Sequence, residues 1–298
     1  MVDKLILKPS DNAEIQITAL SLLPKMATAM EKECRSLLDK KSFRHAEWPV
    51  RREKLIQLLE SYFPEELLDE IQDDLLNKRN KVYAIGNLPT TSKKEIPKNR
   101  PVLVDNLVMG CISQAIMGRL EIDIVRSDVL VRQHGDRQSG KRIAGYFWHQ
   151  DTQDVSAFGT ELNLEEAPTS FRNMPAILRS LTERTRRLLA GHDDKEHTGT
   201  IEQVNNHLLY YGGSIDHEGG SGFSLNTTDK DAIDEWIAKS KENTLHRTSD
   251  RGELMLWVNR GELYHRGRWG EEKVAKKHPW TRVNTRVFGV LPEEQSKG

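Results

Sequence analysis

The sequence predicts a mainly β domain with an α-helical flank: a sandwich or barrel of short strands over residues 121–298, with helices from residues 1–120 packed outside it. After residue 120, short apolar runs alternate with turns containing Gly, Asn and Asp, the texture of an all-β core. Before it, apolar residues recur every three or four positions, the period of helices that bury one face. No internal repeat, low-complexity stretch or linker divides the chain, so 1–298 is read as one domain.

Taken in order, Met26–Lys40 and Glu53–Lys78 carry helical spacing. In the second, Leu55, Ile56, Leu59, Phe63, Leu67, Leu68, Ile71 and Leu75 form one apolar face, and Pro64 breaks the stretch in two. Lys81–Gly86 reads as a strand. Residues 90–101 are polar with two prolines and read as a loop. Val104–Leu120 reads as a helix with small residues at Gly110, Ser113 and Ala115. Strands follow at Val129–Gln133, Ile143–Trp148, His207–Tyr211, Phe223–Leu225, Gly252–Val258 and Arg282–Leu291. Helices interrupt them near Pro175–Leu189 and Asp229–Lys241.

Composition removes several classes of function. Lys+Arg at 44 against Asp+Glu at 45 gives a net charge of −1, which argues against nucleic acid as a charge-driven partner. No run of 18 apolar residues exists, so no membrane span is expected. The opening MVDKLILKPSDNAEIQ has an apolar stretch too short for a signal peptide. Two cysteines, Cys34 and Cys111, support neither a disulfide framework nor a Cys-rich zinc site. A reducing, cytoplasmic setting is the expectation.

No phosphate-binding glycine loop, G-x-S-x-G nucleophile elbow or H-E-x-x-H zinc helix is present. What remains is a two-His, one-carboxylate metal site, which leaves coordination positions open for chemistry. His-x-Asp on a strand can supply two ligands, because residues i and i+2 face the same way. Ten histidines and 45 acids among 298 positions give about 1.5 His-x-acid pairs by chance. The chain has His45/Glu47, His134/Asp136, His149/Asp151 and His192/Asp194. Only His149/Asp151 directly follows an apolar strand, so it is the preferred pair; a salt-bridged pair at a strand end is the other reading. A third ligand must come from a distant segment. His265, after an apolar strand and an Asn-Arg-Gly turn, is the candidate, with an ordinary surface hairpin as the alternative.

WHQD at 148–151 and GELMLWVNRGELYHRG at 252–267 together resemble the Fe(II)- and 2-oxoglutarate-dependent dioxygenases, nearest to the taurine dioxygenase and clavaminate synthase-like group. Gly252-Glu-Leu, Trp257, Asn259-Arg260 and His265-Arg-Gly267 follow that family's last-ligand pattern in order. Glu253 and Val258 depart from it at positions that are not ligands. The likeness covers about residues 149–291 and implies a double-stranded β-helix (jelly roll) core. It further implies iron held by His149, Asp151 and His265, with 2-oxoglutarate as co-substrate and molecular oxygen as oxidant. The retained Asp151 favours oxygenation over chlorination.

A 2-oxo dicarboxylic acid also needs a cation for its far carboxylate. The resemblance gives that role to Arg282 with the Thr169 hydroxyl. Arg286, four residues on and on the same face, would reach toward substrate. The longer spacing from His265 to Arg282, spanning EEKVAKKH, leaves the division between the two arginines open. Thr169, as a residue before a helix, could equally be a cap. Tyr146, Trp148 and His207 would line the cavity if their strands face inward, and the loop from Arg132 to Arg142 would cover it. The reading is therefore an oxygenase hydroxylating an unactivated C–H bond of a small-molecule substrate such as an amino acid or natural-product intermediate. A phytanoyl-CoA hydroxylase-like oxygenase and a non-catalytic jelly-roll binding module are the alternatives.

Overall fold

A computed structural model describes residues 2–11, 13–38, 48–77, 80–99, 101–133, 148–191, 203–204, 227–259, 262–267 and 279–292. Its strands are β1 (Val2–Leu7), β2 (Gln16–Leu22), β3 (Lys81–Gly86), β4 (Asp123–Gln133), β5 (Val155–Asn163), β6 (Pro168–Asn173), β7 (Thr244–Thr248), β8 (Leu254–Val258), β9 (Leu263–Gly267) and β10 (Trp280–Val290). Its longer helices are α1 (Pro24–Leu37), α2 (Trp48–Tyr62), α3 (Glu65–Asn77) and α4 (Val108–Arg119). After β6 come α5 (Met174–Ser180), α6 (Glu183–Leu189) and α7 (Lys230–Glu242). The chain is thus mixed helix and sheet rather than mainly β.

Seven strands form one sheet in the order β1-β2-β3-β8-β5-β10-β4, and β7-β6-β9 form a second. Neighbours are antiparallel except β2 and β3. The sheets face one another across a shared apolar layer. Ile17, Val82, Phe158, Met255, Trp257 and Phe288 of the large sheet meet Phe171 and Leu263 of the small one. Edge-to-face contacts lock it, with Phe158 4.6 Å and Phe171 5.2 Å from Trp257 between ring centroids. Burying each such side chain is worth about 1.5–3 kcal/mol.

The other face of the large sheet is covered by α1–α4, whose apolar faces join Leu20, Tyr83, Ala157, Leu256 and Val287 in one cluster. Pro64 falls between α2 and α3, where the sequence places the break. The N-terminal third is not helix alone, however. It contributes β1, β2 and β3 to the large sheet, and the sequence reading contained only β3. β1 is an edge strand with Leu5 and Ile6 exposed, so no alternation marks it. β5 and β6 also escaped the sequence reading. Ser156, Gly159, Thr160 and Glu161 in β5, and Ser170 and Arg172 in β6, are buried although small or polar, so neither strand carries an apolar pattern. The helix expected over Pro175–Leu189 is two, because Thr182 caps a new start at α6. The expected strands at His207–Tyr211 and Phe223–Leu225, and Ile143–Trp148 up to residue 147, lie outside the described residues. Among the described residues, no helix is long and apolar enough to cross a membrane.

The N-cap residue of α4, Leu107, has no side chain able to cap it. Glu161 supplies the cap from β5. Its Oε1 accepts the Met109 amide at 2.8 Å and the Thr91 hydroxyl at 2.9 Å, and its Oε2 accepts the Thr91 amide at 2.9 Å. A bulge turns it that way: Val283 faces Leu162 and Asn284 faces Thr160, so Glu161 has no partner on β10. Burial raises its pKa, and the three donors act against that rise. Glu161→Ala would orphan these buried donors. Chemical denaturation should show a loss of about 3–9 kcal/mol, at about 1–3 kcal/mol per unsatisfied group.

Candidate metal centre

One backbone bridge brings the distant histidines together. The His149 amide donates to the His265 carbonyl at 3.0 Å, and the His265 amide returns the bond at 2.9 Å. Residues paired this way project side chains to the same face. The imidazole centroids therefore lie 4.2 Å apart. Asp151 completes the group, its Oδ1 3.9 Å from His149 Nε2 and its Oδ2 3.5 Å from His265 Nε2. The three ligand atoms all lie within 4.8 Å of one another. Two atoms each about 2.0–2.2 Å from one ion can be at most about 4.4 Å apart, and both N···O separations fall inside that limit.

His265 is 2% exposed, and burial first, then His149 and Arg286, hold its pKa well below the ordinary value. It is therefore neutral near pH 7, the state that ligates metal. Its Nδ1 is buried with no hydrogen-bond partner among the described residues. Two imidazoles and a carboxylate form the donor set of an open-sided Fe(II) site. His149 is 34% exposed at its side chain, so the group opens on that side.

Asp151 is steered from behind. The Ser156 hydroxyl donates to its Oδ2 at 2.7 Å, and Asn259 Nδ2 donates to Ser156 Oγ at 2.8 Å and to the Gln153 carbonyl at 2.9 Å. Trp257 Nε1 donates to Asn259 Oδ1 at 2.9 Å. Trp257 and Asn259 of the GELMLWVN segment thus position the loop that carries the carboxylate. The start of that segment is also structural. Gly252 has φ +83°, and a Cβ there would sit 2.4 Å from the Leu88 carbonyl oxygen. Buried Glu253 pairs with Arg247.

A buried cation adjoins the three side chains. Arg282 of β10 is 2% exposed; its Nη2 donates to Thr169 Oγ1 at 3.3 Å and its Nε to Asn284 Oδ1 at 3.2 Å. Its Nη1 has no partner among the described residues. Burial, then the Arg132 charge, lower its pKa to about 9, with Glu165 acting oppositely. Such a strained cation gains from an anion beside it. Arg132, facing Arg282 across the β4–β10 ladder, is paired with Glu165 at 3.2 Å. Thr169, Arg282, Asn284 and Arg286 line one cavity with His149, Asp151 and His265. Arg286 is held at its Nε by Asp128 of β4, 2.5 Å away.

Of the expected site residues, the structure gathers His149, Asp151, His265, Thr169, Arg282 and Arg286. Thr169 lies within β6 rather than before a helix, and Asn173 is the residue that caps α5. Trp148 does not line the cavity. It precedes His149, so alternation turns it to the opposite face, where its ring lies between the guanidinium groups of Arg172 at 4.1 Å and Arg266 at 4.6 Å. His207, Tyr146, His45, His134, His192 and most of the loop to Arg142 fall outside the described residues. Ser156, Asn284 and Arg132 are not singled out for this site from sequence; the sheet register brings Asn284 and Arg132 to it, and Ser156 lies five residues after Asp151 at the start of β5.

No protein family and no curated protein matches the chain in sequence. Solved structures do match it. The chain is similar to the non-heme iron oxygenase OrfP in complex with Fe, at 16% identity and TM-score 0.52, covering 91% of this chain and 93% of that one. It is similar to OrfP with Fe and alpha-ketoglutaric acid at 15% identity and TM-score 0.51, over 91% and 94%. An asparagine oxygenase in complex with Fe(II), 2S,3S-3-hydroxyasparagine and succinate aligns at 12% identity and TM-score 0.57, over 91% and 93%. At such identity the likeness is one of fold, and this chain has the fold of these oxygenases.

Removing the group that steers Asp151 tests the centre. Ser156→Ala should leave the fold intact and weaken Fe(II) binding by about 10–100-fold, the usual cost of losing an outer partner of a metal ligand. Anaerobic metal titration reads it directly.

Proposed function

We propose that the chain is an Fe(II)- and 2-oxoglutarate-dependent oxygenase that hydroxylates an unactivated C–H bond of a small molecule. The observation that carries this reading is a two-histidine, one-carboxylate group sharing a cavity with a buried, incompletely paired arginine. The two facing sheets are read as the halves of a double-stranded β-helix. Strands from residues 2–86 and 123–290 share one sheet, which supports reading the chain as one domain.

Iron bound by His149, Asp151 and His265 would supply the oxidising power, with 2-oxoglutarate and O₂ consumed and succinate and CO₂ formed as C–H becomes C–OH. The chain's own residues do the rest. Arg282 and Thr169 hold the far carboxylate, which fixes the direction of the oxo acid. Phe158, Phe171 and Trp257 form a dry wall behind His265, with Phe158 and Trp257 at 6.0 and 4.9 Å between ring centroids. Arg286 lines the cavity and would offer a substrate a cation, with its Nε held by Asp128. A cation there suits a substrate carboxylate such as that of an amino acid. The likeness to OrfP, solved with succinate and (3S)-hydroxy-L-Arg, and to asparagine oxygenase supports the same class.

The test is succinate formation from 2-oxoglutarate by the Fe(II)-loaded protein across an amino-acid and metabolite library. Some substrate should stimulate it, and His265→Ala should abolish it. Arg282→Ala should raise the KM for 2-oxoglutarate by about 10–100-fold, from the loss of charge-assisted hydrogen bonds. Iron binding without any 2-oxoglutarate binding or consumption would make the chain a binding module instead.

A further inference from the structure

Three residues that line the cavity, Thr169, Arg282 and Asn284, carry hydrogen-bond donors, and Asn284 has so far been given no role toward a ligand. Asn284 follows Arg282 by two on β10, so both face the same way. Its Oδ1 accepts the Arg282 Nε–H, which fixes the amide: turned over, two donors would face each other. Its Nδ2 is therefore the free end. Asn284 is 0% exposed, and Nδ2 has no partner among the described residues. Arg282 Nη1 is in the same condition. Thr169 Oγ1 accepts from Arg282 Nη2 and so keeps its own proton to give. Arg132, the neighbouring cation, is already engaged by Glu165.

An unpaired buried amide is costly unless something repays it. The free groups here, Arg282 Nη1, the Thr169 hydroxyl and Asn284 Nδ2, are all positioned to donate. A ligand that satisfies them must present acceptors alone, and a carboxylate does so with two oxygens. We infer that Asn284 is a third contact to the far carboxylate of the bound 2-oxo acid, and that it helps select dicarboxylic over monocarboxylic co-substrates. The inference rests on the oxygenase reading. The rival for Nδ2 is internal. Thr160 faces Asn284 across the β5–β10 ladder, and its hydroxyl is also without a partner among the described residues. A purely structural Asn284 would close onto Thr160 and ignore the ligand.

Calorimetry of the anaerobic Fe(II) protein separates the two, with 2-oxoglutarate and with 2-oxobutyrate, which has no far carboxylate. Asn284→Ala should weaken 2-oxoglutarate about tenfold and change 2-oxobutyrate less than twofold. Asn284→Asp, nearly isosteric, sets a carboxylate beside Arg282 and should weaken 2-oxoglutarate further, again sparing 2-oxobutyrate. Iron affinity should stay at the wild-type value in both. Equal losses for the two acids, or no loss for either, would overturn the inference while leaving the oxygenase reading in place. Wild-type protein that binds iron but not 2-oxoglutarate would overturn both.

Discussion

The site depends on two main-chain hydrogen bonds between His149 and His265. They join segments more than a hundred positions apart and fix the two imidazoles on one face of the small sheet. Everything near them follows from that pairing. Phe171 is paired with His265 on the other side, so it shares that face and enters the apolar layer. Thr169, two residues earlier on β6, shares it too and meets Arg282 from the facing sheet. Trp148 and Arg266, each adjacent in sequence to a histidine, are sent to the far face and stack there. Alternation along three segments thus separates the His149–His265 face from a second buried layer in which Trp148 stacks with Arg172 and Arg266.

Rigid support on the large-sheet side is polar rather than apolar. Asp151 is reached through Trp257, Asn259 and Ser156, a chain of hydrogen bonds that starts in the hydrophobic layer and ends at the carboxylate. Arg282 is held by Asn284 and Thr169, with the Arg132–Glu165 pair alongside. Buried polar groups of this kind cost stability when unpaired. Along β5 and β10 most of them are paired, and Arg282 Nη1, Asn284 Nδ2 and Thr160 Oγ1 are left without partners among the described residues. The opposite face of β5 shows the contrast, since Glu161 there is fully paired and serves to start α4.

The residues whose chemistry is local were legible in sequence. His149 and Asp151 stand out by spacing, His265 by its distance from a Gly-Glu strand, and Arg282 and Arg286 by sharing a strand face. Positions set by the register of separate strands were not. Asn284 comes to lie opposite Thr160 only through a pairing that includes a bulge at Glu161. Strands β5 and β6 were missed because burial on both faces with polar side chains erases the period-two pattern. Trp148 could have been placed correctly, because an inward His149 forces its neighbour outward.

The central claim is that His149, Asp151 and His265 share one metal ion. Diffraction from crystals grown anaerobically with Fe(II), with anomalous differences collected at the iron edge, tests it most directly. The account predicts one strong peak about 2.0–2.2 Å from a nitrogen of each histidine and an oxygen of Asp151, with coordination positions open toward the exposed side of His149. A peak elsewhere, or iron bound without Asp151, would contradict it.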